Sequence, residues 1–437
     1  MKEKRYVIRN ENFGSLIYDS LSYDIFGIDK DATEILLYIK SRGISKTITR
    51  YKNEFEINDF INTLIDMQLI KDNDVNAHFV ENPTPENNIL SAPIKVFLTI
   101  TERCNLSCKH CFGNFGQGYE LELNQIEKIL DELIEIGVFQ ISVTGGEPFI
   151  HEDILEILRL IRDKGFTSQL TTNGTILNKE IIDFLKINKM FRFSISLEGD
   201  ELYHDYIRGE GNYKLVKENI KRLLDNNVNV GINTVLTSGN IDNIDKMLID
   251  LYDIGIDNIS ISHIVPTGRT KKNKLLINNP LENNNKQKFL KVIEQIKQFA
   301  LKTKKPQFVF GLIVNPDGII QGKDMNIRNL IDIKRCGAGS TILTIKANGN
   351  IIPCIFLEED LKNYRICDER LNIMEKSIID VWNNSKMFNY VRSIGVCAEC
   401  EICNLYKNNN CSGGCPVSSK YFTGTFEGKD EFCYIGG

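Results

Sequence analysis

The stretch that decides the fold of this chain is Thr101-Glu-Arg-Cys104-Asn-Leu-Ser-Cys108-Lys-His-Cys111-Phe112. Its cysteines are spaced C-x3-C-x2-C and come directly after an apolar, β-prone run, Ile94-Lys-Val-Phe-Leu-Thr-Ile100. Iron–sulfur clusters are held by cysteine thiolates, normally four for a cubane, so a loop with only three would leave one iron with an open coordination position. An open position distinguishes a catalytic metal centre from a sealed structural one. A zinc knuckle lacking its fourth ligand and three incidental buried thiols are the alternatives at this point.

This spacing, with the aromatic Phe112 after the last cysteine, resembles the signature of the radical SAM enzymes. The resemblance implies that Cys104, Cys108 and Cys111 hold a [4Fe–4S] cluster whose open iron is chelated by S-adenosylmethionine (SAM), with Phe112 beside the cofactor. It also implies that reduction of the SAM sulfonium releases a 5′-deoxyadenosyl radical.

Composition and charge exclude several classes of protein. A length of 437 residues suggests two to four domains, and contents of 42% apolar and 25% charged residues are ordinary for a globular protein. The formal charge of −5 gives no overall attraction to nucleic acid or to an anionic membrane. The sequence contains no run of 18 apolar residues and no signal-peptide core. Twelve cysteines without an export signal predict metal or redox chemistry in the cytoplasm, and not a disulfide framework.

Residues 1–80 predict a small winged-helix-like module. Two strand-like runs, Tyr6–Arg9 and Gly14–Phe26, precede a helix that Asp31 is placed to cap, and a second amphipathic helix is predicted over 57–69. Residues 1–85 contain 11 Lys and Arg against 14 Asp and Glu, a net −3 that disfavours DNA binding. The module resembles the PqqD-like peptide-recognition element of radical SAM enzymes that modify ribosomally made peptides (RiPPs), which implies that a leader peptide adds a strand to its sheet edge. A dimerisation or purely structural module is the alternative.

Residues 81–93 are predicted to be a linker, because 81–88 contain two prolines among polar residues. Beyond the linker, strand-like runs alternate with amphipathic helical segments, which indicates parallel β/α units. These runs end near Ile100, Thr144, Thr172, Leu197, Leu236 and Val265. Six such units over 94–275 match the partial (β/α)6 TIM-like barrel of the radical SAM enzymes, so the predicted fold class is α/β. In such barrels the active-site residues lie at the C-terminal ends of the strands.

Two turns at predicted strand ends carry motif residues. Thr144-Gly145-Gly146-Glu147-Pro148 follows the second strand; its glycines allow close approach of the backbone to a ligand, and Glu147 offers an acceptor for an ammonium group. The resemblance implies that this motif holds the SAM amino group. The third strand ends in Thr171-Thr172-Asn173-Gly174, a second close-approach turn. The resemblance implies that Asn173 contacts the same cofactor.

The fourth strand ends in Ser194-Ile-Ser196-Leu-Glu198-Gly199, which resembles the S-x-D-G motif of the family with Glu in place of Asp. The resemblance implies that Ser196 contacts the ribose or carboxylate of SAM; the substitution leaves the role of Glu198 open. Arg208 matches the arginine that pairs with the SAM carboxylate, a surface ion pair being the alternative. The resemblance implies that Asn233 and Leu236 on the fifth strand flank the adenosine of SAM. The basic run Arg269-Thr-Lys-Lys-Asn-Lys274 is predicted to be a solvated loop.

A bridging region over 276–330, with a helix over 286–304, leads to a second cysteine-rich region. Its tight group has the spacing C-x2-C-x2-C-x7-C-x3-C, which by itself does not separate zinc from iron–sulfur ligation. The nine cysteines are Cys336, Cys354, Cys367, Cys397, Cys400, Cys403, Cys411, Cys415 and Cys433.

Residues 331–437 resemble the SPASM extension of radical SAM proteins. The matching pieces are Cys336-Gly-Ala-Gly, Gly349-Asn-Ile-Ile-Pro-Cys354, Asp380-Val-Trp382, Cys400-x2-Cys403, Cys411-Ser-Gly-Gly-Cys415 and Cys433, with a longer loop than usual between Cys403 and Cys411. The resemblance implies two auxiliary [4Fe–4S] clusters, one held by Cys400, Cys403, Cys411 and Cys433 and the other by Cys336, Cys354 and Cys415. For the fourth ligand of the latter, Cys397 is the first candidate and Cys367 the second. The alternative is an iron left open for a substrate thiolate.

The order of recognition module, barrel and double-cluster extension resembles that of RiPP maturases, including thioether synthases and streptide-type cyclases. The predicted function is radical modification of a precursor peptide bound through its leader, leading to an intrapeptide crosslink, with a Cys thioether first. Flavodoxin or ferredoxin would supply electrons. Carbon–carbon cyclisation or epimerisation, formylglycine formation as in anaerobic sulfatase maturation, and a non-enzymatic iron–sulfur redox or DNA-binding protein are the alternatives. No residue is assigned as a catalytic acid or base.

Overall fold

A computed structural model provides the three-dimensional structure. The residues that it describes are 4–53, 56–72, 74–85, 89–113, 115–188, 191–256, 258–273, 287–288, 291–292, 294–295, 298, 307–311, 330–331, 333–358, 361, 371–409 and 411–433. The predicted helix over 286–304, the candidate ligand Cys367 and most of the bridging region lie wholly or largely outside these residues.

The N-terminal module is a four-stranded sheet with the order β3-β2-β1-β6, packed against three helices. The elements are β1 (Tyr6–Glu11), β2 (Gly14–Asp19), β3 (Ile25–Asp29), α1 (Lys30–Arg42), α2 (Ile44–Tyr51), α3 (Ile57–Asp66), a short β4–β5 hairpin (Ile70–Lys71, Asp74–Val75) and β6 (Ala77–Val80). The strands pair antiparallel except β1 with β6, which is parallel.

Three details of this module differ from the sequence prediction. The run over 14–26 forms two strands, because Asp19 accepts the Leu21 amide and Tyr23 takes a left-handed backbone (φ 64°), which turns the chain. Helix α1 is capped by Asp29 instead of Asp31, since the Asp29 carboxylate accepts the Ala32 amide at 2.8 Å. Helix α2 was not predicted, and α3 ends at Asp66, three residues early.

The parallel strands of the barrel follow one another across a single twisted sheet. They are β7 (Lys95–Thr101), β8 (Gln140–Gly145), β9 (Thr167–Thr172), β10 (Phe191–Ser196), β11 (Val230–Leu236) and β12 (Asn258–His263). The helices between them are α4 (Leu123–Glu135), α5 (Ile154–Asp163), α6 (Lys179–Ile187), α7 (Glu201–Arg208), α8 (Asn212–Asp225), α9 (Ile244–Asp253) and, after β12, α10 (Arg269–Lys272). Each strand ends within two residues of its predicted position, because buried apolar runs followed by turn residues are a strong signal. The partial barrel is confirmed.

The same sheet continues beyond the six barrel strands. Strand β13 (Gln307–Gly311) pairs with β12, and β14 (Ile342–Ile345) pairs in parallel with β7 and antiparallel with β15 (Ile351–Ile352). The C-terminal region adds α11 (Ile378–Asn384), α12 (Lys386–Ser393), α13 (Ala398–Ile402), α14 (Asn404–Lys407) and α15 (Pro416–Thr423). Hydrogen-bonded β-pairing therefore joins the cysteine-rich region to the first barrel strand.

A buried ion pair within the N-terminal module connects the module to the rest of the chain by hydrogen bonds to backbone groups. Arg9 is fully buried; its Nε contacts Glu11 at 2.8 Å and its Nη1 donates to the carbonyls of Pro93 and Gly137. Glu11 also accepts the Ser91 amide at 2.6 Å. These contacts fix the module against the first β/α unit. No helix in the described part of the chain combines the length and apolarity needed to cross a membrane.

Candidate cluster and cofactor site

The cysteine loop, residues 104–111, leaves the C-terminal end of β7 and is held by backbone contacts from several sides. The Cys104 amide donates to the Gly116 carbonyl, and the Lys109 amide donates to the carbonyl of Ile207 at the end of α7. Burial raises the pKa of the Cys108 thiol, and burial, with the charges of Cys108 and Cys111, raises that of Cys104. The three thiols therefore share one partly dry site, as ligands of one centre would.

The segment after β12 fastens this loop, which the sequence analysis did not anticipate. Thr270 is fully buried and donates to the His110 carbonyl at 2.9 Å, while the Arg269 amide donates to the Cys111 carbonyl at 2.9 Å. Gly268 has a left-handed backbone (φ 57°), and a Cβ there would lie 2.2 Å from the Phe112 carbonyl oxygen. The prediction of a solvated loop over 269–274 is therefore wrong for its first two residues, since their apposition to the cysteines depends on tertiary packing.

The Gly-Gly-Glu-Pro turn lies directly against the cysteine loop. The amides of Gly146 and Glu147 donate to the carbonyls of Thr101 and Arg103, and a Cβ on Gly146 would lie 2.1 Å from the Arg103 oxygen. Glu147 is fully buried and accepts three hydrogen bonds, from Thr172 Oγ1, the Asn173 amide and the Phe149 amide. Burial raises the pKa of this carboxyl despite these donors. Protein donors thus occupy three of the about four acceptor positions of this carboxylate, and its bond to the SAM ammonium stays a prediction.

Asn173 connects the third strand end to the cysteine loop. Its Nδ2 donates to Asn105 Oδ1 at 2.9 Å, and Asn105 in turn donates to Thr175 Oγ1. The structure thus brings Asn173 next to Glu147 and to the loop. Its contact with SAM stays a prediction.

The fourth and fifth strand ends lie side by side. Ser196 and Asn233 are register partners, and both are half-buried, whereas Leu236 is fully buried. Glu198 accepts from Arg208 at 2.6 Å, from His110 Nε2 at 3.1 Å and from the Val235 amide at 2.9 Å. Burial alone would raise the pKa of Glu198, but the positive charges of His110 and Arg208 hold it well below its usual range. Arg208 therefore faces a carboxylate of the protein, and its predicted pairing with the SAM carboxylate remains open.

The first auxiliary set, Cys336, Cys354 and Cys415, comes together from separate segments of the C-terminal region. Burial of the thiol, with the charges of Cys336 and Cys415, raises the pKa of Cys354 well above its usual range. Burial, with the charges of Asp430 and Cys336, raises the pKa of Cys415 to about 12. Coordination of iron would stabilise the thiolate form of these cysteines and so offset the free-energy cost of burying their charge.

The second auxiliary set, Cys400, Cys403, Cys411 and Cys433, follows from helix α13 onward. Burial, a hydrogen bond from Cys397 and the charges of Cys397, Cys433 and Cys411 together raise the pKa of Cys400 to about 12. The Cys397 thiol donates to Cys400 Sγ at 3.5 Å. Cys397 is thus placed beside the second set, although the sequence analysis favoured it as a ligand for the first.

Arg335 and Asp430 organise this region, and neither was identified from the sequence. Arg335, 3% exposed, donates to Ser419 Oγ at 2.6 Å and to the carbonyls of Gly395, Gly414, Phe426 and Gly428. The Asp430 carboxylate accepts the amides of Cys415 and Phe432, and its own carbonyl accepts the Cys433 amide. Asp430 therefore connects a predicted ligand of each auxiliary set. Its position three residues before Cys433 was the available signal.

The donors at each of these sites are thiols, the ligands that iron–sulfur clusters take. Among the described residues, no three His, Cys, Asp or Glu side chains converge as the ligands of one metal ion do. A cubane, by contrast, places each thiolate on a different iron and tolerates wider spacing.

Comparison with known proteins agrees with this geometry. Residues 98–251 match the model of the radical SAM superfamily, and residues 336–404 match that of the SPASM iron–sulfur cluster-binding domain. The chain carries a radical SAM domain and a SPASM domain. It is therefore a radical SAM enzyme, and its cofactors are SAM, the [4Fe–4S] cluster that SAM joins, and the auxiliary [4Fe–4S] clusters of the SPASM domain.

Among similar proteins, the mycofactocin maturase MftC of Mycolicibacterium smegmatis is 27% identical, over 79% of this chain and 84% of the relative. The AdoMet-dependent heme synthase of Methanosarcina barkeri is 25% identical, over 78% of this chain and 97% of the relative. Among solved structures, Streptococcus suis SuiB bound to SAM superposes with a TM-score of 0.74 at 20% identity, covering 98% of both chains. The chain thus shares its fold with SuiB over 98% of its length, which includes the N-terminal module.

Proposed function

We propose that this enzyme modifies a ribosomally synthesised precursor peptide and forms an intrapeptide crosslink, first of all a Cys thioether. One observation carries the proposal: the likeness to SuiB, which has been crystallised with its precursor peptide SuiA, extends over 98% of this chain and includes the N-terminal module. The relative MftC is also a maturase. We divide the chain accordingly into a recognition module (1–80), linker (81–93), barrel (94–275), bridging region (276–330) and SPASM domain (331–437).

Strand β3 is the proposed docking edge for the leader peptide. It forms one end of the sheet order β3-β2-β1-β6, and its residues are half-buried, apart from the exposed Asp29. An extended peptide can add to such an edge through main-chain hydrogen bonds. This assignment makes residues 1–80 a PqqD-like recognition element.

The module's rigid attachment supports delivery of the peptide to the barrel. Tyr18 stacks on Phe139 with ring centroids 5.1 Å apart, and the Arg9 guanidinium lies over the same Phe139 ring, 4.9 Å from its centroid. Phe139 directly precedes β8, which leads to the Gly-Gly-Glu-Pro turn. A leader held on β3 would therefore keep a fixed distance to the site.

When bound and reduced, the cluster and SAM supply a 5′-deoxyadenosyl radical that can remove a substrate hydrogen atom. The chain's own residues orient these cofactors: the loop thiols bind, Glu147 and the glycines before it shape the amino-group site, and the packed strand ends exclude water. A thioether is favoured because the SPASM segment Cys336-Gly-Ala-Gly resembles that of thioether synthases and because the first auxiliary set has three assigned thiols, which leaves room for a substrate thiolate. An outside flavodoxin or ferredoxin would supply the electrons.

The test is anaerobic reconstitution with the peptide encoded beside this chain's gene. We expect peptide-dependent 5′-deoxyadenosine and a peptide lighter by two hydrogens per crosslink. A thioether blocks alkylation of the peptide cysteine, whereas a carbon–carbon bond leaves it reactive and epimerisation leaves the mass unchanged. Formylglycine formation would appear as an aldehyde. No change in any candidate peptide, with 5′-deoxyadenosine still produced, would contradict the proposal.

Leader docking has its own test. Hydrogen exchange of the full chain should slow over residues 25–29 when leader peptide is added, while β6 at the other sheet edge serves as the internal control. Unchanged exchange at β3 would remove the docking edge from the proposal.

The heme-synthase relative favours a second candidate, chemistry on a tetrapyrrole, because the match covers 97% of that relative. Its match covers only 78% of this chain. Incubation with a tetrapyrrole substrate and no peptide distinguishes the two.

A further inference from the structure

Glu198 occupies the position at which the S-x-D-G motif has the shorter Asp. The side chain is 1% exposed, and it contacts groups from three separate segments of the chain. They are His110 of the cysteine loop, Arg208 at the end of α7, and the Val235 amide on β11. An Asp on the same backbone would place its carboxylate one methylene nearer to β10 and would not span the same contacts.

Arg208 links this carboxylate to a cluster ligand. Its Nε and Nη2 donate to Glu198 Oε1 at 3.2 and 2.6 Å, while its Nη1 points to Cys108 Sγ at 3.9 Å. The fork of a guanidinium is rigid and planar. Holding two of its nitrogens on a buried carboxylate therefore fixes the direction of the third.

His110 gives the same carboxylate a direct connection to the loop. The residue lies between Cys108 and Cys111, and its Nε2 is 3.1 Å from Glu198 Oε1. The backbone of Lys109 is held as well, because its amide donates to the Ile207 carbonyl, one residue before Arg208. One buried group thus contacts both the loop that carries the ligands and the arginine that faces one of them.

We propose that Glu198 is a positioning residue for the SAM-binding cluster, which sets the cluster's reduction potential by aiming the Arg208 Nη1–H at the sulfur of Cys108. Hydrogen bonds to ligand sulfurs stabilise the more negative, reduced state and raise the potential. Residues behind the first ligands tune metal centres in this way. This inference uses the cluster of the radical SAM domain and needs no assumption about the substrate.

The experiment is a redox titration of the full, anaerobically reconstituted chain without SAM, in which electron paramagnetic resonance monitors the reduced clusters. The SAM-binding cluster is identified as the component whose signal changes when SAM is added, since that cluster has the open iron. Two variants conserve charge: Glu198→Asp shortens the reach, and Arg208→Lys removes the fork. Glu201→Gln, on the same helix as Arg208 and paired with Lys214 on the surface, is the control.

We expect both charge-conserving variants to lower the reduction potential of the SAM-responsive cluster by about 59 mV. For one electron, this is a tenfold shift of its equilibrium toward the oxidised form. The double variant should go no lower than Arg208→Lys alone, because both act through one contact. The control and the auxiliary clusters should not shift. An unchanged potential in Glu198→Asp overturns the proposal; if that variant holds no cluster, an unchanged potential in Arg208→Lys overturns it. A wild-type protein without a SAM-responsive signal would instead refute the cluster assignment itself.

Discussion

The ring of Phe112 lies edge-on to the ring of Phe356, with their centroids 5.2 Å apart. Phe112 follows the last cysteine of the cysteine loop, and Phe356 comes two residues after Cys354 of the first auxiliary set. This aromatic contact therefore joins the radical SAM domain to the SPASM domain, and a predicted cluster ligand lies close to it in sequence on each side. Lys346, 3.5 Å from Glu102 and 2.8 Å from Glu358, reinforces the same junction.

Replacing Phe356 with Ala should weaken SAM binding. Phe112, predicted to contact the cofactor, would lose its edge-on support, and such a pair is worth about 0.5–1.5 kcal/mol, or a roughly two- to tenfold higher Kd. Equilibrium dialysis of SAM against the reconstituted protein measures the change. Tyr421→Ala, which removes an aromatic contact within the SPASM domain, is the control. An identical Kd in Phe356→Ala would mean that the contact does not position Phe112.

Replacing Arg335 with Met should destabilise the SPASM domain strongly. Several buried carbonyls would lose their donor at once, and each unsatisfied group costs about 1–3 kcal/mol. We expect the auxiliary clusters to be lost while the SAM-binding cluster remains, measured as iron per chain and SAM-responsive signal. Lys334→Met, one residue away and exposed, should keep all the iron. Retention of full iron content in Arg335→Met would contradict this assignment.

Iron counting also tests the two candidates for the fourth ligand of the first auxiliary cluster. Three cubanes contain about twelve irons. Because the Cys397 thiol contacts Cys400, we expect Cys397→Ala to retain all of them, whereas Cys403→Ala should lose about four. If Cys397→Ala loses one cluster, the ligand role predicted from sequence is correct after all. If the double variant Cys397→Ala, Cys367→Ala keeps all of its iron, neither cysteine is the fourth ligand, and one iron of the first auxiliary cluster has an open coordination position.

His204 should make stability depend on pH. Burial, together with the charge of Arg208, lowers its pKa to about 4, and its Nδ1 accepts the Glu198 amide. Since the unfolded chain binds the proton near pH 6.5, this stabilisation is complete above that value and is lost as pH falls toward 4. Between pH 7.5 and 5.5 the loss is about 1.3 kcal/mol. Thermal unfolding of wild type should show a larger pH dependence than that of His204→Gln; equal dependence would contradict the prediction.

The strand order and the cysteine loop were predictable because they rest on local patterns. Buried apolar runs ending at Thr101, Gly145 and Thr172 mark strands whatever surrounds them. The role of Arg269 and Thr270 was not predictable, since a short basic run has the same composition whether it is solvated or packed. Arg335 was missed for a similar reason: its acceptors are backbone carbonyls, which leave no mark in the sequence.

By itself, the sequence determined the chemistry available to this protein: three thiols after the first barrel strand, a glycine-rich turn after the second, and a further set of cysteines near the C-terminus. Ligand type and spacing are local properties, so they can be read directly. Only the tertiary structure decided which groups share a site: Glu198 with His110 and Arg208, Cys397 with Cys400, and Phe112 with Phe356. These pairings depend on how strands and helices distant in sequence pack together, and the direction of a buried side chain follows from that packing.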